Sequence, residues 1–195
     1  RNIISGNNGA GVAMEAPETN SVVQGNFIGT DLTGANALGN AADGVVISGA
    51  VNSSIGGTVA GAGNVIAHNG AVGVDLVLNA GVNNAILGNS IFGNAGLGID
   101  LGGDGVTCND HCDIDSGPNN FQNYQVITSA SCGGGFFTLS GTLDRAPTTL
   151  CRLEFFSNAR CGSCYNPAVP LSRNGKGHTC LGTAPVRPQQ KSKGR

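Results

Sequence analysis

Two groups of acidic residues in this chain have spacings that could support chemistry. Asp75 and Asp100 occupy equivalent places in Gly73-Val74-Asp75-Leu76 and Gly98-Ile99-Asp100-Leu101. If these segments are stacked strands, the carboxylates lie about 5 Å apart. At that separation two carboxylates share a proton or a cation, or act as the acid and the base or nucleophile of a glycoside hydrolase. The opposing expectation is that both are solvated, outward residues that keep an alternating strand soluble. The second group is Asp104, Asn109, Asp110, Asp113 and Asp115, with Gly105 and Gly117 allowing the backbone to turn. Hard oxygen ligands at this density suit Ca²⁺, which takes 6–8 of them in a flexible shell; the alternative is a solvated acidic turn. Asp113-x-Asp115-x-Gly117 resembles only part of an EF-hand loop, because the distal Glu is lacking. Gly102-Gly103-Asp104-Gly105 occurs once and makes no calcium-binding nonapeptide array.

The remaining reactive groups are thiols and imidazoles. All seven cysteines lie beyond residue 107. Cys161-Gly162-Ser163-Cys164 reads as a redox pair, as half of a zinc site with His178 and Cys180, or as disulfide cysteines. The zinc spacing is irregular, and no βαβ context supports a redox motif. Disulfides are expected if the protein is exported. Cys108 and Cys112 flank His111, and their pairing would brace the acidic loop. Seven is odd, so at least one thiol stays free or pairs between chains. His68, next to Asn69, is expected at a corner rather than as a ligand.

The elements that position these groups follow from composition and repetition. Of 195 residues 33 are Gly and 22 are Asn, which disfavours long helices because Gly costs about 1 kcal/mol against Ala in a helix and Asn forms turns. No run of about 18 apolar residues supports a membrane span, and the first residues lack a signal-peptide pattern, so the chain is expected to start inside a larger or processed protein. Asn64-Val65-Ile66-Ala67-His68-Asn69 matches Asn89-Ser90-Ile91-Phe92-Gly93-Asn94. Asn2, Ile4, Asn7, Gly11, Val12 and Met14 match Asn64, Ile66, Asn69, Gly73, Val74 and Leu76. Asn20-x-x-Val23-x-Gly25, Asn52-x-x-Ile55-x-Gly57 and Asn83-x-x-Ile86-x-Gly88 supply a third segment. Units begin at Asn2, Asn26, Asn64 and Asn89, with insertions at residues 29–39 and 58–63 confined to the joints, as in a solenoid. Three short strands per unit predict a triangular coil of about four to five turns. Ile and Val point inward, parallel strands lie about 4.8 Å apart, and Asn7, Asn69 and Asn94 stack as an amide ladder.

Asn26-Phe27-Ile28-Gly29-Thr30-Asp31-Leu32-Thr33-Gly34, Gly63-Asn64-Val65-Ile66-Ala67-His68-Asn69 and Gly96-Leu97-Gly98-Ile99-Asp100-Leu101 resemble the right-handed parallel β-helix repeat proteins that bacteria secrete or display, within the pectin-lyase-like superfamily. The stretch from Asp104 through Asn109, Asp110, Asp113 and Asp115 to Asn123 is similar to the segment that closes the helix in that family. The resemblance covers about residues 1–125 and implies fold and an extracellular or cell-surface location. It does not imply an activity, since the fold hosts lyases, hydrolases, epimerases and adhesins. Polygalacturonase-type Asn-Thr-Asp, Asp-Asp, Gly-His-Gly and Arg-Ile-Lys signatures are missing, and residues 2–144 contain no Lys or Arg to serve a lyase as base.

Residues 1–125 hold ten acids and one base, and residues 126–195 two acids and nine bases. The first part therefore lacks the cations that contact nucleic-acid phosphates. Residues 126–186 read as strands of an incomplete β-sandwich module, and residues 187–195 as a disordered basic tail. The expected function is a non-catalytic exported module for surface attachment or for binding polysaccharide or cell-surface glycan, without membrane insertion. The alternatives are a fragment of a polysaccharide lyase, hydrolase or epimerase with its catalytic coils upstream, and a passive spacer. The first coil is expected to present a bare, aggregation-prone strand edge.

Overall fold

A computed structural model describes residues 1–133, 136–145, 151–157 and 179–186. The repeat folds as a parallel β-solenoid whose three sheets each collect one segment from every unit. The first sheet stacks β1 (Ile3–Ile4), β4 (Phe27–Ile28), β7 (Val65–Ala67) and β10 (Ser90–Phe92). The second stacks β2 (Val12–Glu15), β5 (Val45–Ser48), β8 (Val74–Val77) and β11 (Ile99–Gly102), and the third β3 (Val22–Val23), β6 (Ser54–Gly56) and β9 (Ala85–Leu87). These make three complete turns rather than four to five. The fourth unit supplies β10 and β11 and then closes with a short turn at Pro118–Phe121, where Asn119 takes the place of a third strand.

Register follows the apolar pattern because a slip of one residue would turn every inward side chain to solvent. Ile28, Ile66 and Ile91 stack from the first sheet, and Met14, Ile47 and Leu76 from the second; Ile55 joins them from the third, and all are buried. Such a core is narrow, so its polar corners must be satisfied internally. Each corner carries a ladder. At the first, Asn2, Asn26 and Asn64 each donate from the backbone N–H and from Nδ2 to the Oδ1 of the next rung, ending on Asn89. At the second, the same double donation runs from Asn7 to Asn40, Asn69 and Asn94. Ser53, Asn84 and Asn119 accept backbone N–H groups at the third.

The ladder expected from Asn7, Asn69 and Asn94 thus contains a fourth rung, Asn40, displaced in sequence by the first insertion. That insertion closes on an antiparallel bridge between Thr30 and Ala37 and is braced by Asp31. The ladder amides are distinct from the asparagines in left-handed backbone: Asn20, Asn52 and Asn83, one per turn, have φ of 59°, 54° and 62°. Glycine is required where coils approach closely. A Cβ on Gly73 would stand 2.6 Å from Gly98 O and from Ile91 Cγ2.

Beyond the solenoid, β12 (Val126–Gly133) pairs antiparallel with β13 (Phe136–Thr142), and β14 (Cys151–Ser157) with β15 (Thr179–Val186). The strands read from the sequence at Phe136, Cys151 and Leu181 are present, but as two separate two-stranded sheets. Glu154 on β14 accepts a hydrogen bond from Gly88 N. Cys161, Cys164, His178 and the tail 187–195 lie outside the described residues. No helix among the described residues is long and apolar enough to cross a membrane.

Candidate functional site

β8 and β11 pair with Asp75 directly beside Asp100, so Val74 and Leu76, with Ile99 and Leu101, serve the core while both carboxylates project from the outer face. The chain then turns back over them. Gly102, Gly103 and Gly105 have φ of 115°, 74° and 107°, a left-handed run suited to glycine. Gly105 N donates to Asp100 Oδ2 at 3.0 Å, and a Cβ on Gly103 would lie 3.4 Å from both oxygens of Asp75. The carboxylates are therefore not solvated, which corrects the expectation for an outward step: Asp75 is 8% exposed and Asp100 4%. Outward orientation on a strand fails to expose them because the segment closing the solenoid folds across this end of the sheet.

Burial, followed by the charges of Asp43 and Asp100, pushes Asp75 up from 3.8 to about 6. Asp100 is also raised, chiefly by burial and in part by Asp104 and Asp43, against the lowering effect of hydrogen bonds from Gly105 and Gly103. One oxygen of each, Oδ1, is buried without a hydrogen-bond partner. Asp43 is held at the edge of the same sheet by Val72 N, which donates to its Oδ1 at 2.8 Å.

The acidic loop divides. Asp110, Asp113 and Asp115 each bring a carboxylate oxygen within 4.8 Å of the others. Asp104 is placed near Asp100 instead, with its Oδ1 3.1 Å from where a Cβ on Gly102 would stand. Asn109 is consumed by Tyr124: its Nδ2 donates to Tyr124 O and its Oδ1 accepts from Tyr124 N. Within the trio, Asp113 accepts from Asn123 N at 2.6 Å and pairs with Arg145 at 3.1 Å. Ile114 N donates to Asp110 Oδ2, while Oδ1 of Asp110 and of Asp115 are buried without partners. Burial and the charges of Asp110 and Asp113 raise Asp115.

Beside this trio lies a group that the sequence did not point to. His111 Nε2 is 3.3 Å from Cys112 Sγ, and His111 Nδ1 is 3.2 Å from Asp144 Oδ2. Asp144 Oδ1 also accepts from Cys112 N, and the backbone carbonyl of Asp144 accepts from the buried Asn123. The order thiol, imidazole, carboxylate is that of an activated nucleophile, although His111 is 88% exposed and such exposure weakens each interaction. Asp144 follows β13 in the chain, so only tertiary structure brings it to the loop; the adjacent His111-Cys112 pair was the single local signal. Cys108 and Cys112 are both free thiols, so the pairing expected between them is not formed. His68 sits at a corner as expected, with φ of 61° and its ring edge-to-face on Phe92 at 5.5 Å. Comparison with protein families, with curated proteins and with solved structures gave no match for this chain.

Proposed function

We propose that this chain is a non-catalytic β-helix module of the pectin-lyase-like kind, exported by a bacterium to its surface or surroundings, that binds polysaccharide along a sheet face. The observation that carries this reading is the covering of Asp75 and Asp100. The one stacked pair of acids in the repeat lies beneath residues 102–105, where a polymer chain cannot reach both carboxylates. Three hydrogen-bonded ladders hold the outer rows of side chains at the coil spacing of about 4.8 Å. A surface ordered in advance loses little entropy when an extended polymer lies along it. The origin and the location outside the cell rest on the resemblance of the repeat motifs. Ca²⁺ belongs to the same proposal, held by Asp110, Asp113 and Asp115 at the base of the solenoid, with Asp104 and Asn109 engaged elsewhere.

A second reading, in which the chain is part of a lyase, hydrolase or epimerase, draws on the raised titration of Asp75 at about 6, a range suited to general acid–base work. Electrophoresis of the full chain through gels cast with a neutral glucan or a polyuronate, alongside assays for new reducing ends and unsaturated products, separates the readings. Retardation without product supports a binding module. Product formation refutes it in favour of an enzyme, and neither retardation nor product leaves a passive spacer.

A further inference from the structure

The outer face of the second sheet carries an unbalanced electrostatic load. Asp75 and Asp100 are more than nine-tenths buried, each with one oxygen that meets no donor. Asp43 adds its negative charge near both, and Asp104 near Asp100. Residues 2–144 contain no Lys or Arg. The described bases are engaged elsewhere: Arg1 lies over the Phe27 ring, Arg145 pairs with Asp113, and Arg152 pairs with Glu154. A proton shared by the pair would neutralise one charge of four. A divalent cation neutralises two and also supplies the partner that each Oδ1 lacks.

We propose that Asp75 Oδ1 and Asp100 Oδ1 bind a Ca²⁺ ion on this sheet, beneath the turn at residues 102–105, in a site separate from the trio Asp110, Asp113 and Asp115. Hard carboxylate oxygens without thiol or imidazole select an alkaline-earth ion over zinc or copper. Side chains from paired strands start about 4.8 Å apart, close enough for one ion to reach both carboxylates, and the flexible shell of Ca²⁺ tolerates ligands placed by a sheet better than the near-ideal octahedron that Mg²⁺ demands. Asp43 and Asp104 add long-range attraction. The ion ties β8 to β11, the last two strands of the second sheet, so the site acts as a clasp at the end of the solenoid.

The test uses the full chain carrying Asp110→Asn and Asp115→Asn, which weakens the loop trio, and titrates it with CaCl₂ by calorimetry and thermal unfolding at neutral pH. Binding is expected to persist in this background. It is expected to weaken about tenfold or more when Asp75→Asn or Asp100→Asn is added. Asn is close in shape to Asp and relieves the repulsion, so these variants should fold and unfold at higher temperature than their parent in EDTA. Loss of all Ca²⁺ response in the Asp110→Asn, Asp115→Asn background overturns the proposal, as does a response that Asp75→Asn and Asp100→Asn leave unchanged. MgCl₂ binding as tightly as CaCl₂ overturns the choice of ion.

Discussion

Asn69→Ala tests whether the corner ladders hold this fold together. Asn69 is 1% exposed. Its Oδ1 accepts from Asn40 N at 3.2 Å and from Asn40 Nδ2 at 2.8 Å, and its Nδ2 donates to Ile28 O at 3.3 Å and to Asn94 Oδ1 at 2.8 Å. Alanine removes all four bonds, but the orphaned groups are fewer. Asn40 Nδ2 keeps Ile4 O, and Asn94 Oδ1 keeps Asn69 N. What remains buried and unpaired is Asn40 N, while Ile28 O, on a paired strand, loses only its side-chain donor. One orphaned donor at about 1–3 kcal/mol and one lost bond at about 0.5–1.5 kcal/mol predict a loss of about 2–4 kcal/mol, a large share of the stability of a typical domain. The control is Asn83→Ala, which loses a single exposed bond to Asn52 Oδ1 and sets alanine at a φ of 62°; it should cost about 1 kcal/mol, chiefly backbone strain. Guanidinium unfolding followed by circular dichroism compares the midpoints of the two variants with the parent. If Asn69→Ala costs no more than Asn83→Ala, the reasoning that buried backbone groups depend on these amides is refuted.

The remaining predictions concern charge and reactivity. The native state holds a proton on Asp75 more tightly than the unfolded chain does, so between 3.8 and about 6 the folded form binds more protons and stability falls as pH rises. Asp75→Asn should flatten that slope in metal-free thermal unfolding, and an unchanged slope would remove Asp75 as its source. Asp113→Ala strips Asn123 N and Arg145 of a partner. With alanine also strained at a φ of 58°, it should cost about 2–4 kcal/mol; faster amide hydrogen exchange at Asn123 is the part that a merely solvated turn would not show. Asp31 is pulled down to about 2, first by its hydrogen bond to the Thr33 side chain and then by that to Asn36, yet it lies on an exposed insertion. Asp31→Asn should move the unfolding midpoint little, while limited proteolysis within residues 29–39 becomes faster. Cys112 should react with iodoacetamide faster than Cys108, and His111→Ala should slow Cys112 alone; equal rates would show that the imidazole does not assist the thiol.

Much of the solenoid was legible because each turn repeats the same three problems. An apolar residue must face a narrow core, a corner must be turned, and coils must approach closely; Ile66 and Ile91, Asn69 and Asn94, and Gly73 and Gly98 recur for those reasons. The repeat was lost where spacing changed. Asn40 performs the work of Asn69, but the insertion at residues 29–39 moved it out of phase with the other units. The number of turns was overstated because the fourth unit repeats two segments and then closes through Asn119, an amide in an unrelated sequence. Of the acidic loop, the trio Asp110, Asp113 and Asp115 gathers as proximity in sequence implied. Asp104 and Asn109 leave it because Asp100 and Tyr124 lie close to them in space.

Sequence alone determined the chain's sheet content, its parallel stacking, the identity of most core and ladder positions, and the register that sets Asp75 beside Asp100. Those properties depend on local periodicity, which a side-chain pattern of period two and a repeated unit specify directly. Only the tertiary structure decided what surrounds those residues. The fold-back of residues 102–105 turned two outward carboxylates into buried ones, Arg145 supplied a counter-charge to Asp113, and Asp144 reached His111 and Cys112 from the far end of β13. Burial and charge are set by groups distant in sequence, and the free energy of an ionised side chain follows its surroundings rather than its neighbours along the chain.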